Sequence, residues 1–297
     1  MDAAFALILT SLAAGFVCAR LRVFPENAAD VLNRFVIYVC LPALVLKLVP
    51  AIRFDSDLAV LVVTPWVLLA VGAGVVISLS RLFGFRREVT GALLLCVPLG
   101  NTSFLGFPMV GALLGLDAVR FAVLYDQLGS FFVLATYGLF VVARFSDGGA
   151  PTLRDSVLRV LRFPPFLSLV VALLPIRHPP LVDSVLGRLG DALVPLALFA
   201  VGLKLELRRP KDGLPLAAGL VTKMALFPLV AFGFGRVAGA QGLPLHVAVL
   251  ESAMPPMITA GALAAMAGLA PELSTGLVGY GILASLATVP AVAALLR

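Results

Sequence analysis

Long, unbroken apolar runs constrain this chain more than any other feature. The stretch Leu58 to Ser80, for example, contains no charged residue. A helix of about 20 apolar residues crosses the roughly 30 Å hydrocarbon layer of a bilayer. Inside that layer every backbone N–H and C=O must find its partner within the protein, so only helices and closed barrels span it. The runs here are continuous and long rather than short and alternating, which selects helices over a barrel. Composition agrees, with 61% hydrophobic and 13% charged residues where a soluble domain carries about 25% charged. Helices of a soluble protein need polar outer faces, and there is too little polar sequence here to supply them. The expected fold class is an all-α polytopic membrane protein.

Ten candidate spans follow, at 3–19, 31–49, 58–80, 89–114, 118–142, 163–176, 181–205, 213–238, 245–268 and 272–296. The first run carries Asp2 and no cation ahead of it, the wrong sign for a signal peptide, and is read as the first span. The longest polar interruption, residues 144–162, opens on Ser146-Asp147-Gly148-Gly149. It then sets Leu153, Val157, Leu158, Val160 and Leu161 among Arg154, Arg159 and Arg162, a pattern that predicts a short interfacial amphipathic helix. Loops after odd-numbered spans hold fourteen Lys/Arg and the opposite side seven, with Lys223 inside a span. The positive-inside rule then makes the richer side cytoplasmic and sends both termini outward, to the periplasmic side of a cell inner (plasma) membrane.

Five spans precede residues 144–162 and five follow. The expected organisation is a first five-helix repeat at 1–143, a cytoplasmic connector at 144–162 and a second five-helix repeat at 163–297. An odd number of spans per half forces the second copy to insert with inverted topology. Weak internal matches occur in the same order in both halves. Val39-Cys40-Leu41-Pro42-Ala43-Leu44 parallels Ala192-Leu193-Val194-Pro195-Leu196-Ala197. Val123-Leu124-Tyr125 and Leu134-Ala135-Thr136 parallel Val278-Gly279-Tyr280 and Leu286-Ala287-Thr288. Inverted repeats are a common plan for carriers, whose site lies at the repeat interface.

Two spans are interrupted in mid-course. The fourth contains Pro98-Leu99-Gly100-Asn101-Thr102-Ser103, then Gly106 and Pro108. The ninth contains Glu251-Ser252-Ala253-Met254-Pro255-Pro256. Proline removes a backbone donor and its ring blocks the helix, while Gly100 and Asn101 tolerate non-helical dihedrals. Paired interruptions at corresponding positions of two halves point to a transporter's binding site. Unwound backbone exposes N–H groups and a half-helix N-terminus, and both favour an anion. Two ordinary proline kinks are the plainer alternative.

Ionisable residues within spans are functional candidates by default. Asp126 in the fifth span, beside Tyr125 and Gln127, Lys223 in the eighth and Glu251 in the ninth stand out. Either carboxylate could exchange a proton, and Lys223 could pair with one of them or meet an anion directly. A static buried charge network that fixes packing is the competing reading. Cys18, Cys40 and Cys96 lie in apolar runs, with no CxxC or Cys/His cluster, so no disulfide framework, metal or cofactor is implied. The formal charge of +6 reads through the positive-inside rule, and no nucleic-acid partner is expected.

The stretch Gly100-Asn101-Thr102-Ser103-Phe104-Leu105-Gly106-Phe107-Pro108 resembles the fourth-helix signature of the auxin efflux carrier family, and Glu251 to Pro256 resembles its ninth-helix signature. Arg34 to Pro42 and Lys223 to Pro228 resemble its second and eighth helices. The resemblance implies a fold related to the bile-acid/sodium symporters, with two inverted five-helix repeats whose broken helices 4 and 9 cross at the site. It implies that spans 3–5 and 8–10 form a moving transport domain. Spans 1, 2, 6 and 7 would form a scaffold and a homodimer contact. Asn101 would contact a substrate carboxylate, and Lys223 would take the place of the symporters' sodium. Plant members export auxin, and bacterial members are linked to malate, malonate and other carboxylates. This chain has Gly100 where the plant carriers usually have proline, and its central segment is short. The short central segment favours a bacterial-type member over an auxin carrier.

The leading expectation is a secondary active transporter of a small organic anion, working by elevator-type alternating access and linked to protons. Its partners are that anion and membrane lipid. The substrate-binding candidates are Gly100, Asn101, Thr102, Ser103, Tyr125, Pro255 and Pro256. The coupling or charge-pair candidates are Asp126, Lys223 and Glu251. A sodium-coupled symporter of organic or bile-acid-like anions is the alternative, and a membrane receptor or sensor is the alternative of another class. A membrane enzyme is disfavoured, because no paired Asp motif, Ser/His set or HExxH occurs.

Overall fold

The computed structural model of the chain describes residues 2–51, 58–145, 164–174, 178–205 and 213–296. The amphipathic helix expected within 144–162 lies outside them apart from Arg144 and Phe145. The described residues are helical. They form α1 (Asp2–Arg20), α2 (Ala28–Leu48), α3 (Ala59–Phe83), α4 (Arg87–Cys96), α5 (Phe107–Leu114), α6 (Leu116–Phe145), α7 (Pro164–Ala172), α8 (Pro180–Leu203), α9 (Gly213–Val237), α10 (Gly242–Ser252), α11 (Ile258–Met266) and α12 (Pro271–Leu295). No strand occurs among them, and extended pairing is confined to one antiparallel bridge between Gly100 and Pro256.

Six of these helices, α2, α3, α6, α8, α9 and α12, are long and apolar enough to cross a membrane. The 25 residues of α3 or α12 extend about 37 Å at 1.5 Å per residue, more than the hydrocarbon thickness. The remaining expected spans are shorter or divided. The fourth splits into α4 and the apolar segment Thr102–Leu114, and the ninth into α10 and α11. Prolines mark several starts: Pro108, Pro180 and Pro271 sit in the first turns of α5, α8 and α12, where a missing N–H costs nothing. Wider, π-type turns interrupt α2 at Val36–Cys40, α6 at Asp126–Ser130 and Leu134–Gly138, and α9 at Thr222–Leu226. Such turns recur at functional positions in helices.

The helices gather into two compact units, each drawing on both halves of the chain. The first holds residues 1–54, 103–123 and 160–205, and the second 55–102, 124–159 and 206–297. In the first unit α1 lies along the second half of α8 with the backbones touching. A Cβ on Gly15 would run into the Phe199 carbonyl oxygen, and one on Gly202 into that of Leu12. Small residues at such a crossing permit the close approach that replaces hydrophobic driving force between helices in lipid. Lys204 pairs with Asp30, and Phe24 meets Phe199 edge to face at 5.5 Å. The second unit has its own core, built from Leu68 and Val76 of α3, Leu93 to Val97 at the end of α4, Phe227 of α9, Ala260 and Ala264 of α11, and Leu273 and Leu277 of α12.

Candidate functional site

The site grows from the two interruptions, and in the second unit they meet. α4 stops at Cys96, two residues before Pro98. α10 stops at Ser252, and Met257 is already extended (φ −64°, ψ 128°) when α11 begins. Proline lacks the N–H a helix needs and its ring blocks the preceding turn, so the helices fail around Pro98 and Pro255-Pro256. The two broken segments then pair across the unit. The Asn101 N–H donates to the Pro255 carbonyl at 2.8 Å, and the Met257 N–H donates to the Leu99 carbonyl at 2.8 Å. Each break thereby satisfies polar backbone that the other leaves open, as a water-free interior demands. One expectation changes here. The N–H groups of Asn101 and Met257, which the sequence left exposed at the breaks, are consumed by this crossing.

Side chains from α6, α9 and α10 close on the crossing. Asp126, in the π-type turn of α6, is buried and accepts two hydrogen bonds. Thr102 Oγ1 donates to its Oδ1 at 2.5 Å, and Gln127 Nε2 donates to its Oδ2 at 2.7 Å. Glu251, in the last turn of α10, is 0% exposed, and neither of its oxygens has a hydrogen-bond partner among the described residues. It interacts through space with Asp126, Lys223 and Tyr125. Lys223, in the π-type turn of α9, is 2% exposed. Its ammonium lies against Gly100, where a Cβ would sit 2.9 Å from Nζ, and 4.8 Å from the centroid of the Phe227 ring. The Asn101 side chain is buried, with no hydrogen-bond partner for Nδ2, and Gln127 Oε1 also lacks one.

Nine residues singled out from the sequence therefore lie in this one unit: Gly100, Asn101, Thr102, Tyr125, Asp126, Lys223, Glu251, Pro255 and Pro256. Ser103 groups with the first unit, at the start of 103–123. Three contributors escaped sequence reading. Gln127 was visible only as a polar neighbour. Phe227 looks like any core aromatic, and Gly72, against which the Phe227 ring packs, sits among other small residues of α3. Chemically the assembly offers a buried ammonium, amide donors and acceptors with spare capacity, and a carboxyl group in need of a proton or a cation. No group of three or more His, Cys, Asp or Glu suited to a metal exists among the described residues.

A family model described as a membrane transport protein matches residues 1–152 and 151–292, nearly the whole chain. The chain belongs to this family. It is a multi-pass membrane transport protein and not an enzyme. The sequence is 29% identical over 293 residues to an "Uncharacterized transporter" of Methanothermobacter thermautotrophicus, covering 95% of this chain and 94% of the relative. It is 26% identical over 298 residues to the "Putative malonate transporter" of Rhizobium meliloti, covering 95% and 92%. It is 29% identical over 111 residues to "Auxin efflux carrier component 6" of Arabidopsis thaliana, covering 36% of this chain and 20% of that longer protein. The resemblance read from the two break motifs thus holds at the level of the family.

Proposed function

We propose that this membrane transport protein is a secondary active carrier of a small organic anion, a carboxylate such as malate, malonate or an auxin-like acid. The observation that carries the reading is the paired crossing of the two broken helices beside the buried Lys223 ammonium. Discontinuous helices that present polar backbone and one cation in a dry interior suit an anionic substrate. The relative whose name carries malonate, similar over nearly its full length, supports a carboxylate. Gly100, Asn101, Thr102, Ser103, Tyr125, Pro255 and Pro256 form the substrate site in this reading, with Asn101 Nδ2 donating to the carboxylate. Glu251 carries the coupled proton, because a buried carboxyl group with no hydrogen-bond partner needs one.

In the same reading ten spans form two inverted five-helix repeats in the inner membrane, with both termini periplasmic. The protein forms a homodimer through spans 1, 2, 6 and 7, and works by an elevator-type movement. A sodium-coupled symporter is the second reading, and it is disfavoured because the Lys223 ammonium already lies against the crossing. The test is uptake of labelled malonate and malate by the purified protein in proteoliposomes. Saturable uptake is expected, falling at least about tenfold in Asn101→Ala, as the loss of a hydrogen bond to a charged group predicts. Failure of a broad panel of organic acids to bind or move overturns the proposal.

A further inference from the structure

Lys223 buries its side-chain amine in the second unit, and an ammonium there is costly unless its charge is compensated. The Glu251 oxygens accept no hydrogen bond, so that carboxyl group acts on Lys223 only through space. The group that the ammonium faces directly is the ring of Phe227, four residues further along α9 and 4.8 Å away at its centroid. A cation over an aromatic face gains most where water is excluded.

The ring has little freedom to move. Phe227 is 0% exposed, and it is wedged against α3 at Gly72, where a Cβ would lie 2.7 Å from Cζ and 3.3 Å from Cε1. On the other side the ammonium stops at Gly100, where a Cβ would lie 2.9 Å from Nζ and 3.3 Å from Cε. Gly100 has no room to retreat. Its neighbours are tied across the crossing, Leu99 through its carbonyl and Asn101 through its N–H. Gly72, Phe227, Lys223 and Gly100 therefore make a continuous column from α3 to the crossing, with a glycine at each end.

We infer that Phe227 is a positioning residue of this transporter: its ring seats the Lys223 ammonium on the crossing, and Gly72 and Gly100 supply the two clearances that the seat requires. The consequence for transport rests on the organic-anion reading above. A ring that fixes the cation organises the anion site without touching the anion, so its loss should weaken apparent affinity more than turnover.

The test compares malonate uptake into proteoliposomes by wild type, Phe227→Leu, Gly100→Ala and Lys223→Gln, and by each of the first two substitutions combined with Lys223→Gln. Phe227→Leu and Gly100→Ala are each expected to raise KM about fivefold or more with Vmax within about twofold. In the Lys223→Gln background neither should shift KM beyond about twofold. Equal shifts in both backgrounds would mean general packing and overturn the inference, as would an unchanged KM in Phe227→Leu beside a raised one in Lys223→Gln. Gly72→Ala, which displaces the ring without removing a group, gives the same KM signature if Phe227→Leu does not fold. Thermal melting of the detergent-solubilised variants needs no substrate. Losses from Lys223→Gln and Phe227→Leu that are less than additive support the seat, and strictly additive losses overturn it. Wild-type vesicles that take up no acid overturn the anion reading instead, and the melting cycle still decides the seat.

Discussion

At the scale of single residues, the two carboxylates of the site differ in what surrounds them. Asp126 is held by Thr102 and Gln127, one donor to each oxygen. Glu251 has no such donor. A carboxyl group anchored by donors fixes its neighbours, whereas one without donors has an unmet need that a proton fills. The expected outcomes separate accordingly. Glu251→Gln should leave exchange of substrate intact while abolishing the dependence of uptake on an imposed transmembrane pH gradient. Asp126→Asn should lower uptake about tenfold, the cost of weakening a hydrogen bond to a charged group, and keep the gradient dependence. Uptake by wild type that ignores the gradient removes the proton-linked assignment.

At the scale of elements, interruption and close approach do the structural work. Pro98 and Pro255-Pro256 prevent continuous helices, and pairing between Leu99, Asn101, Pro255 and Met257 turns two local failures into one joint. The first unit shows another device, in which α1 and the second half of α8 pack at backbone distance. Gly15 of α1 and Gly202 of α8 leave no room for a side chain on either partner. Gly202→Val should destabilise the detergent-solubilised protein by about 1–3 kcal/mol, the usual range for overpacking, read as a lowered melting temperature. Gly202 belongs to the other compact unit from Lys223. Substrate affinity in the surviving folded fraction should therefore stay near that of wild type.

At the scale of the whole molecule, the two compact units recruit helices from both halves of the chain. Spans 1, 2, 6 and 7 fall in one unit and most of spans 3–5 and 8–10 in the other. The segment 103–123, the later part of the fourth span and the start of the fifth, groups with the first unit instead. The proposed orientation is measurable by thiol labelling after replacement of Cys18, Cys40 and Cys96. A cysteine at Ala3 should react with an impermeant maleimide in intact cells, and one at Ser146 only after permeabilisation. The reverse pattern would invert the assignment drawn from the Lys/Arg asymmetry.

Much of this was legible in residue order because it depends on local chemistry. Apolar length selects the solvent, proline and glycine mark where a helix fails, and lone charges inside spans such as Lys223 and Glu251 stand out against their surroundings. Helix lengths were read less well. The run 163–176 reads as a span, although the helix there covers only Pro164–Ala172. Three things belonged to the tertiary structure alone. These are the pairing of Asn101 with Pro255, the gathering of Asp126, Lys223 and Glu251 around that pair, and the ring of Phe227 under the lysine. Such partners come from segments a hundred or more residues apart, or gain meaning only from a neighbour that distant. Hydropathy fixes that each helix is buried in lipid or protein but not which face meets which helix. That choice is made by close packing, where one glycine without a Cβ decides whether a lysine reaches the crossing.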